Sequence, residues 1–284
     1  MVQERAELSP SQRKDYEGFK DLVKHKCGID LSQYKEQQMH RRLLAMVDRA
    51  EVHSFTDYFH VLDRDPLEWA QFLDRMTINV SELFRNPEKW EELKTQVLAP
   101  VLQTGKAVRV WSAGCSYGAE PYSLAMLLDD LAPGRRHRLI ATDIDQKILA
   151  KAQEGVFTDA DVRNVPDAYK RKYLVQEGGN WVVQPWLRQQ VTFRRHNLLA
   201  DPYESGLDLI VCRNVVIYFT EDAKDQLYAR MREALSPGGM NASASSRRMA
   251  RSSKDRSGSL KRAITPCSGS CARDGLVSDP RAST

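Results

Sequence analysis

A chain of 284 residues, 42% of them hydrophobic, has enough apolar material for the core of one large domain or two modest ones. It contains no apolar run near the ~18–20 residues of a membrane span, and its opening stretch has no apolar segment of the signal-peptide kind, so a cytoplasmic protein without direct membrane insertion is expected. The net charge of +4 is concentrated in residues 240–284, which hold nine Lys and Arg against three Asp; the rest is close to neutral, which gives little support to general polyanion binding.

Residues 12–75 read as several short helices. YEGFKDLVKHKCGI places Phe19, Leu22, Val23 and Lys26 at helical spacing, and SQYKEQQMHRRLLAMVDRA repeats the pattern with Met39, Leu43, Leu44 and Val47. Ser54 is placed to cap FTDYFHVLDRD, and Pro66 to open LEWAQFLDRM. An N-terminal helical domain is expected over 1–75. TINVSELFRNPEKWEELK then reads as a connector with Pro87 at the start of a further helix, and 76–95 is the expected linker.

From residue 107 short apolar runs alternate with helical patterns: AVRVW then EPYSLAMLLDDL, RLIAT then DQKILAKAQEG, VTFRRH, and LDLIVCRNVVIYF then AKDQLYARMREAL. Strands and helices taking turns predict an α/β domain over 96–239, a parallel sheet with helices on both faces. Gly178-Gly179-Asn180 between two β-rich runs predicts a hairpin, within an antiparallel excursion at about 170–193. After Ser236-Pro237-Gly238-Gly239 there is no aromatic residue and no periodicity, and 240–284 is expected to be a disordered tail. The five cysteines, Cys27, Cys115, Cys212, Cys267 and Cys271, form no Cys-x-x-Cys pair and sit near no histidine at metal-ligand spacing, so reduced structural thiols and no metal are expected.

The stretch VWSAGCSYGAEPYSLAML leads from a strand through two glycines into a helix. A pyrophosphate cradle would require G-x-G-x-x-G, whereas this loop offers only Gly114 and Gly118 with three residues between. A phosphate-free ligand such as S-adenosylmethionine (SAM) is compatible with that sparser loop. Asp143 ends the next strand where a carboxylate can accept both ribose hydroxyls, while Asp145 is better placed to cap the following helix. Asn197, Arg213 and Asn214 follow the third and fourth strands, so they converge on the edge where open parallel sheets bind ligands.

Taken together, TINVSELFR, WSAGCSYGAEPYS, ATDID, HNLL and CRNVVIYF resemble, in order and spacing, the CheR family of chemotaxis-receptor (MCP) glutamate O-methyltransferases, and GIDLSQYKEQQMHRRL resembles that family's N-terminal helical domain. The resemblance covers about residues 15–239. It implies a Rossmann-like SAM-dependent methyltransferase sheet with an N-terminal all-α domain and a small antiparallel β excursion. It also implies S-adenosyl-L-methionine as cofactor, held by Asn79, Ser81 and Arg85 of the linker, by Ala113, Gly114 and Glu120 around the glycine loop, by Asp143 at the ribose, and by Asn197, Leu198, Arg213 and Asn214 on the adenine side. Ser81 stands where threonine is commoner. Tyr117 and Ala119 depart from the usual loop and bear on affinity.

A glutamate acceptor with a pKa near ~4.3 is already an anionic nucleophile at neutral pH, so no general base is required. What remains is alignment, for which proximity and orientation account. Arg85 and Tyr218 match family positions beside the transferred methyl, and a guanidinium or phenol can hold a carboxylate. The implied partner is the cytoplasmic helical domain of methyl-accepting chemoreceptors, with no nucleic acid partner and a monomeric enzyme expected. Lys35, Arg42 and Arg49, spaced a heptad apart, offer one basic face for docking it. The short turn QEGGNWVV resembles members without a tether-binding extension. Two rival readings stand beside this one. In one the chain is a nucleic-acid methyltransferase, against which the absence of an Asn-Pro-Pro-type loop counts. In the other it binds cofactor but is inactive, because MNASASSRRMARSS replaces the strand pair that completes the family's sheet.

Overall fold

The computed structural model describes residues 9–76, 81–243 and 249–251. Four helices come first: α1 (Pro10–Cys27), α2 (Glu36–Arg49), α3 (Phe55–Arg64) and α4 (Pro66–Met76). Their ends are set by side chains that satisfy the free amides of a first turn. Ser9 and Gln12 form a reciprocal capping box, Ser54 accepts from the Asp57 amide, and Pro66 opens α4 as expected. Their apolar faces meet in one core around Phe19, Leu43, Tyr58, Leu62 and Phe72. In α2 the buried stripe is Met39, Leu43, Met46 and Val47; Leu44, expected inside, is 39% exposed because it falls one residue off that stripe.

Helix α5 (Pro87–Glu92) continues through a π-helical segment, Leu93–Leu98, into α6 (Ala99–Gln103). The alternating half then runs β1 (Arg109–Ala113), α7 (Ala119–Leu131), β2 (Arg138–Asp143), α8 (Gln146–Glu154) and β3 (Val156–Phe157). It continues with α9 (Asp167–Tyr173), β4 (Leu174–Glu177), β5 (Asn180–Val183), α10 (Pro185–Arg188) and β6 (Val191–Arg195). It closes with β7 (Leu207–Cys212), α11 (Glu221–Ala234), β8 (Leu235–Ser243) and β9 (Met249–Arg251).

The main sheet has the order β6-β2-β1-β7-β8-β9, parallel from β6 to β8. Along its central strands the side chains alternate between two cores. Val110, Leu139, Leu209 and Val211 face the α7 side, and Trp111, Ile140, Ile210 and Cys212 face the α11 side, which is the two-sided burial a parallel sheet requires. This is the Rossmann-like sheet with an N-terminal all-α part that the motifs imply. The expected hairpin is β4–β5, turning at Gly178 and Gly179, which both have positive φ. Strand β3 adds itself beside β5, a pairing too short to show any periodicity in sequence.

The sheet does not end at residue 239. Strand β8 runs to Ser243 against β7, and β9 returns antiparallel beside it, since backbone pairing here does not depend on an alternating side-chain pattern. The irregularity between Leu207 and Leu209 is accommodated by Ser236-Pro237-Gly238-Gly239; a Cβ on Gly239 would stand 2.7 Å from the Leu207 carbonyl oxygen. The expectation of disorder for 240–284 is replaced by strand at 240–243 and 249–251, and its remainder, 244–248 and 252–284, lies outside the described residues. No helix among the described residues is long and apolar enough to cross a membrane.

The helical half meets the C-terminal edge of the sheet through its Gly28–Lys35 segment. The Asn197 side-chain amide donates to the Gly28 carbonyl (3.1 Å), Thr220 N–H to Gln33 O (2.9 Å) and Lys35 N–H to Tyr218 O (2.9 Å). Tyr34 pairs with Phe219 as an isolated antiparallel bridge. Packing is reciprocal: Ile144, just after β2, packs on the helical core, while Tyr34 packs on the core beneath α11.

Candidate functional site

The turn after β1 is built so that a strand, a helix and a second strand's carboxylate meet in five residues. Gly114 N–H and Cys115 N–H both donate to the Thr142 carbonyl (2.8 and 2.9 Å), stitching the turn to the end of β2. Gly114 has φ 82°, and a Cβ there would lie 2.3 Å from Val215 Cγ2, so its glycine is required by the close approach of the loop after β7. Ser116, at φ 50°, then points its N–H at Asp143 Oδ2 (2.8 Å), while Asp145 N–H donates to Oδ1 (3.1 Å). Asp145 itself caps α8 by accepting from Lys147 and Ile148, as expected. Asp143 is 9% exposed, and its burial pushes the carboxyl above the ordinary carboxylate range against the pull of these amides.

Glu120 sits in the first turn of α7 and accepts a hydrogen bond from the Ser112 hydroxyl (2.7 Å). Burial pushes its pKa up to about 7, with the Arg213 charge and the Ser112 hydroxyl opposing. Arg213 leaves β7 and donates through Nη2 to the Arg85 carbonyl (2.7 Å) and to Asn86 Oδ1 (3.3 Å), with its guanidinium 5.0 Å from the Trp90 ring centroid. Trp90 donates to the same carbonyl (3.0 Å). Arg213 therefore ties the connector to the strand end, and its buried Nε has no partner among the described residues.

The rest of the connector is fixed by amides donating to the α/β half. Leu83 N–H reaches Asp161 O (2.9 Å), Phe84 N–H reaches Ser123 Oγ (3.0 Å) and Ser81 N–H reaches the Tyr117 hydroxyl (3.2 Å). Tyr117 donates in turn to Asp161 (3.0 Å). This unusual loop residue thus acts on the connector and does not line the cleft, and Ala119 is buried in α7.

All of this borders one cleft at the C-terminal ends of the strands, partly open to solvent. Ser81, Arg85, Gly114, Glu120, Asp143, Asn197, Leu198, Arg213, Asn214 and Tyr218 all line it. Ala113 is fully buried beneath it, and Asn79 lies outside the described residues. Asn197 is largely occupied within the protein, since its side-chain oxygen accepts from Leu199 N–H (3.0 Å) and its amide nitrogen reaches Gly28. Asn214 holds φ 61°, which turns the chain sharply after β7. Sequence reasoning missed Ile29, Tyr34, Leu73 and Met76 of the helical half, together with Ile144 and His196. His196 directly precedes Asn197, so its position was a usable signal. Burial lowers its pKa, and its Nε2 has no hydrogen-bond partner among the described residues.

The three basic residues of the α2 face do not enter the cleft. Lys35 is half-buried at the start of α2 and Arg49 is exposed in its last turn. Arg42 is half-buried, donates to the Met76 carbonyl (2.6 Å) and lies 5.6 Å from the Tyr218 ring centroid, so it braces the cleft's rim instead of standing free.

The donor set suits SAM. A buried carboxylate at the helix start is complementary to an ammonium, a second carboxylate at the end of β2 to vicinal hydroxyls, and the apolar stretch of Ile29, Ile144 and Leu198 to a flat base. Two family models match the chain: the CheR methyltransferase all-alpha domain over residues 14–77, and the CheR methyltransferase SAM binding domain over residues 79–261. The chain belongs to the CheR family. It is a SAM-dependent methyltransferase of the CheR type. Among its relatives, the chemotaxis protein methyltransferase of Listeria monocytogenes is 40% identical over 234 residues, covering 82% of this chain and 89% of that one. Chemotaxis protein methyltransferase 1 of Pseudomonas aeruginosa is 33% identical over 239 residues, covering 79% and 86%.

Proposed function

We propose that this CheR-type enzyme transfers the methyl group of SAM to glutamate side chains on the cytoplasmic helical part of a chemoreceptor, forming methyl esters. Bound SAM supplies an electrophilic methyl group, and the acceptor carboxylate is anionic at neutral pH without a base to deprotonate it. The observation that carries the reading is that Arg85 and Tyr218 line the same cleft as Glu120 and Asp143. In this reading a guanidinium and a phenol orient an incoming carboxylate beside the cofactor. Glu120 holds the cofactor's ammonium and Asp143 its ribose hydroxyls. Residues 1–75 serve as a receptor-facing helical domain, 76–95 as linker and 96–239 as the catalytic domain, acting in the cytoplasm. The names of the relatives support a chemotaxis substrate.

The test is transfer of labelled methyl from SAM. Base-labile label should appear in a chemoreceptor cytoplasmic fragment and not in RNA; label in RNA alone would overturn the proposal. Tyr218→Phe should lower transfer at least tenfold while leaving affinity for S-adenosylhomocysteine (SAH), the demethylated cofactor, within about twofold. Docking is assigned to the α2 face of Lys35, Arg42 and Arg49. Because Arg42 also braces Met76, the cleaner variant is Lys35→Glu with Arg49→Glu. It should weaken methylation severalfold, most strongly at low salt, with SAH binding intact; equal methylation would remove this face from docking.

A further inference from the structure

The helical half is more than a neighbour of the cofactor cleft. Ile29, Tyr34, Leu73 and Met76 form one of its walls, and Tyr34 is the polar member of that wall. Its ring packs edge-on against Phe219 (5.1 Å between centroids). Tyr34 is half-buried and lines the cavity, and its hydroxyl has no hydrogen-bond partner among the described residues, so it is left to bond whatever fills the cleft. Burial and the nearby Asp143 carboxylate push its pKa up to about 12, with Arg42 opposing, so the hydroxyl stays protonated and able to donate. The Gly28–Lys35 segment that carries Tyr34 is tied through the Gly28 carbonyl to Asn197, and the Asp143 charge reaches this phenol, which puts Tyr34 at the Asp143 and Asn197 end of the cleft.

We infer that Tyr34 of the helical half is a cofactor-binding residue whose hydroxyl donates a hydrogen bond to the nucleoside end of SAM. The inference rests on the SAM reading of the cleft and extends it to a residue outside the SAM-binding segment. One cofactor molecule then touches both halves of the chain.

The test uses the full chain and two ligands, SAH and 5′-methylthioadenosine, which keeps the nucleoside and lacks the amino-acid end. Calorimetric titration of Tyr34→Phe should show affinity for both ligands reduced by the same factor, roughly fivefold, as loss of one hydrogen bond predicts. The substitution keeps the ring against Phe219 and removes no bond within the protein, so the ligand-free melting temperature should not move. Equal affinities, a loss confined to SAH, or a lower ligand-free melting temperature would each overturn the assignment. An unsubstituted chain that takes up no SAH is a separate result, and it would sink the SAM reading together with this inference.

Discussion

Glu120 shows how much chemistry a single position carries. Its carboxyl is raised from 4.5 to about 7 by burial, so near neutral pH a large share of the ligand-free protein holds it protonated. A folded-state pKa above the unfolded one stabilises the fold fully below the unfolded value, and that contribution is lost as pH rises through about 7. The ligand-free melting temperature should therefore fall between pH 5 and pH 8, and Glu120→Gln should remove that component. Binding runs the other way. An ammonium favours the ionised carboxylate, so SAH affinity should rise with pH and level off above about 7, with proton release below it. A flat affinity profile between pH 6 and pH 8 would contradict this role. Gly114→Ala should cost about 1–3 kcal/mol and weaken SAH, because both the φ of 82° and the contact with Val215 oppose a side chain. Glu120, Asp143 and Gly114 were legible in sequence because each follows a strand or opens a helix within its own motif. Tyr34 and Ile29 were not, since what puts them in the cleft is pairing with Phe219 and packing on residues more than a hundred positions away.

Among the elements, β8 is the one whose sequence fits its place least well. Asn241 lies opposite Ile210, is 6% exposed and has an unpartnered Oδ1, while its amide reaches only the Met231 sulfur (3.4 Å). An unsatisfied buried polar group destabilises by roughly 1–3 kcal/mol. Asn241→Val should therefore raise the unfolding free energy by about that amount, seen as a higher urea midpoint at unchanged m-value; an unchanged or lower midpoint would show that the amide is satisfied in solution. The helices and central strands were readable because caps, prolines and two-sided apolar runs are local signals. Strand β3 and the ends of β8 were not. Their pairing is decided by the strands beside them, and a run such as Val156–Phe157 is too short to carry a period. The closing β8–β9 pair weakens the reading of this chain as a cofactor-binding but inactive variant, since β9 covers the Met240–Ala242 stretch of the β8 edge.

For the molecule as a whole, the halves are keyed through each other's cores, Ile144 into the helical one and Tyr34 into the one beneath α11. The cleft lies between those two keys, and its wall needs both halves. Ligand that binds only the assembled state should stabilise helical and α/β signals together, by about 2.7 kcal/mol at a hundredfold excess over Kd. Hydrogen-exchange protection in α1–α4 and in the sheet should be lost at one shared midpoint that rises with SAH. The two-part architecture was visible in the change of period at residue 107, but the cleft's dependence on the helical part was not, because no local pattern records a contact between segments so far apart in the chain.

The most direct single measurement is a calorimetric titration of the purified, folded chain with SAH at neutral pH. One molecule bound per chain, with affinity reduced at least tenfold by Asp143→Ala, is the expected result. A folded chain that takes up no SAH at millimolar concentration would contradict the assignment of this cleft.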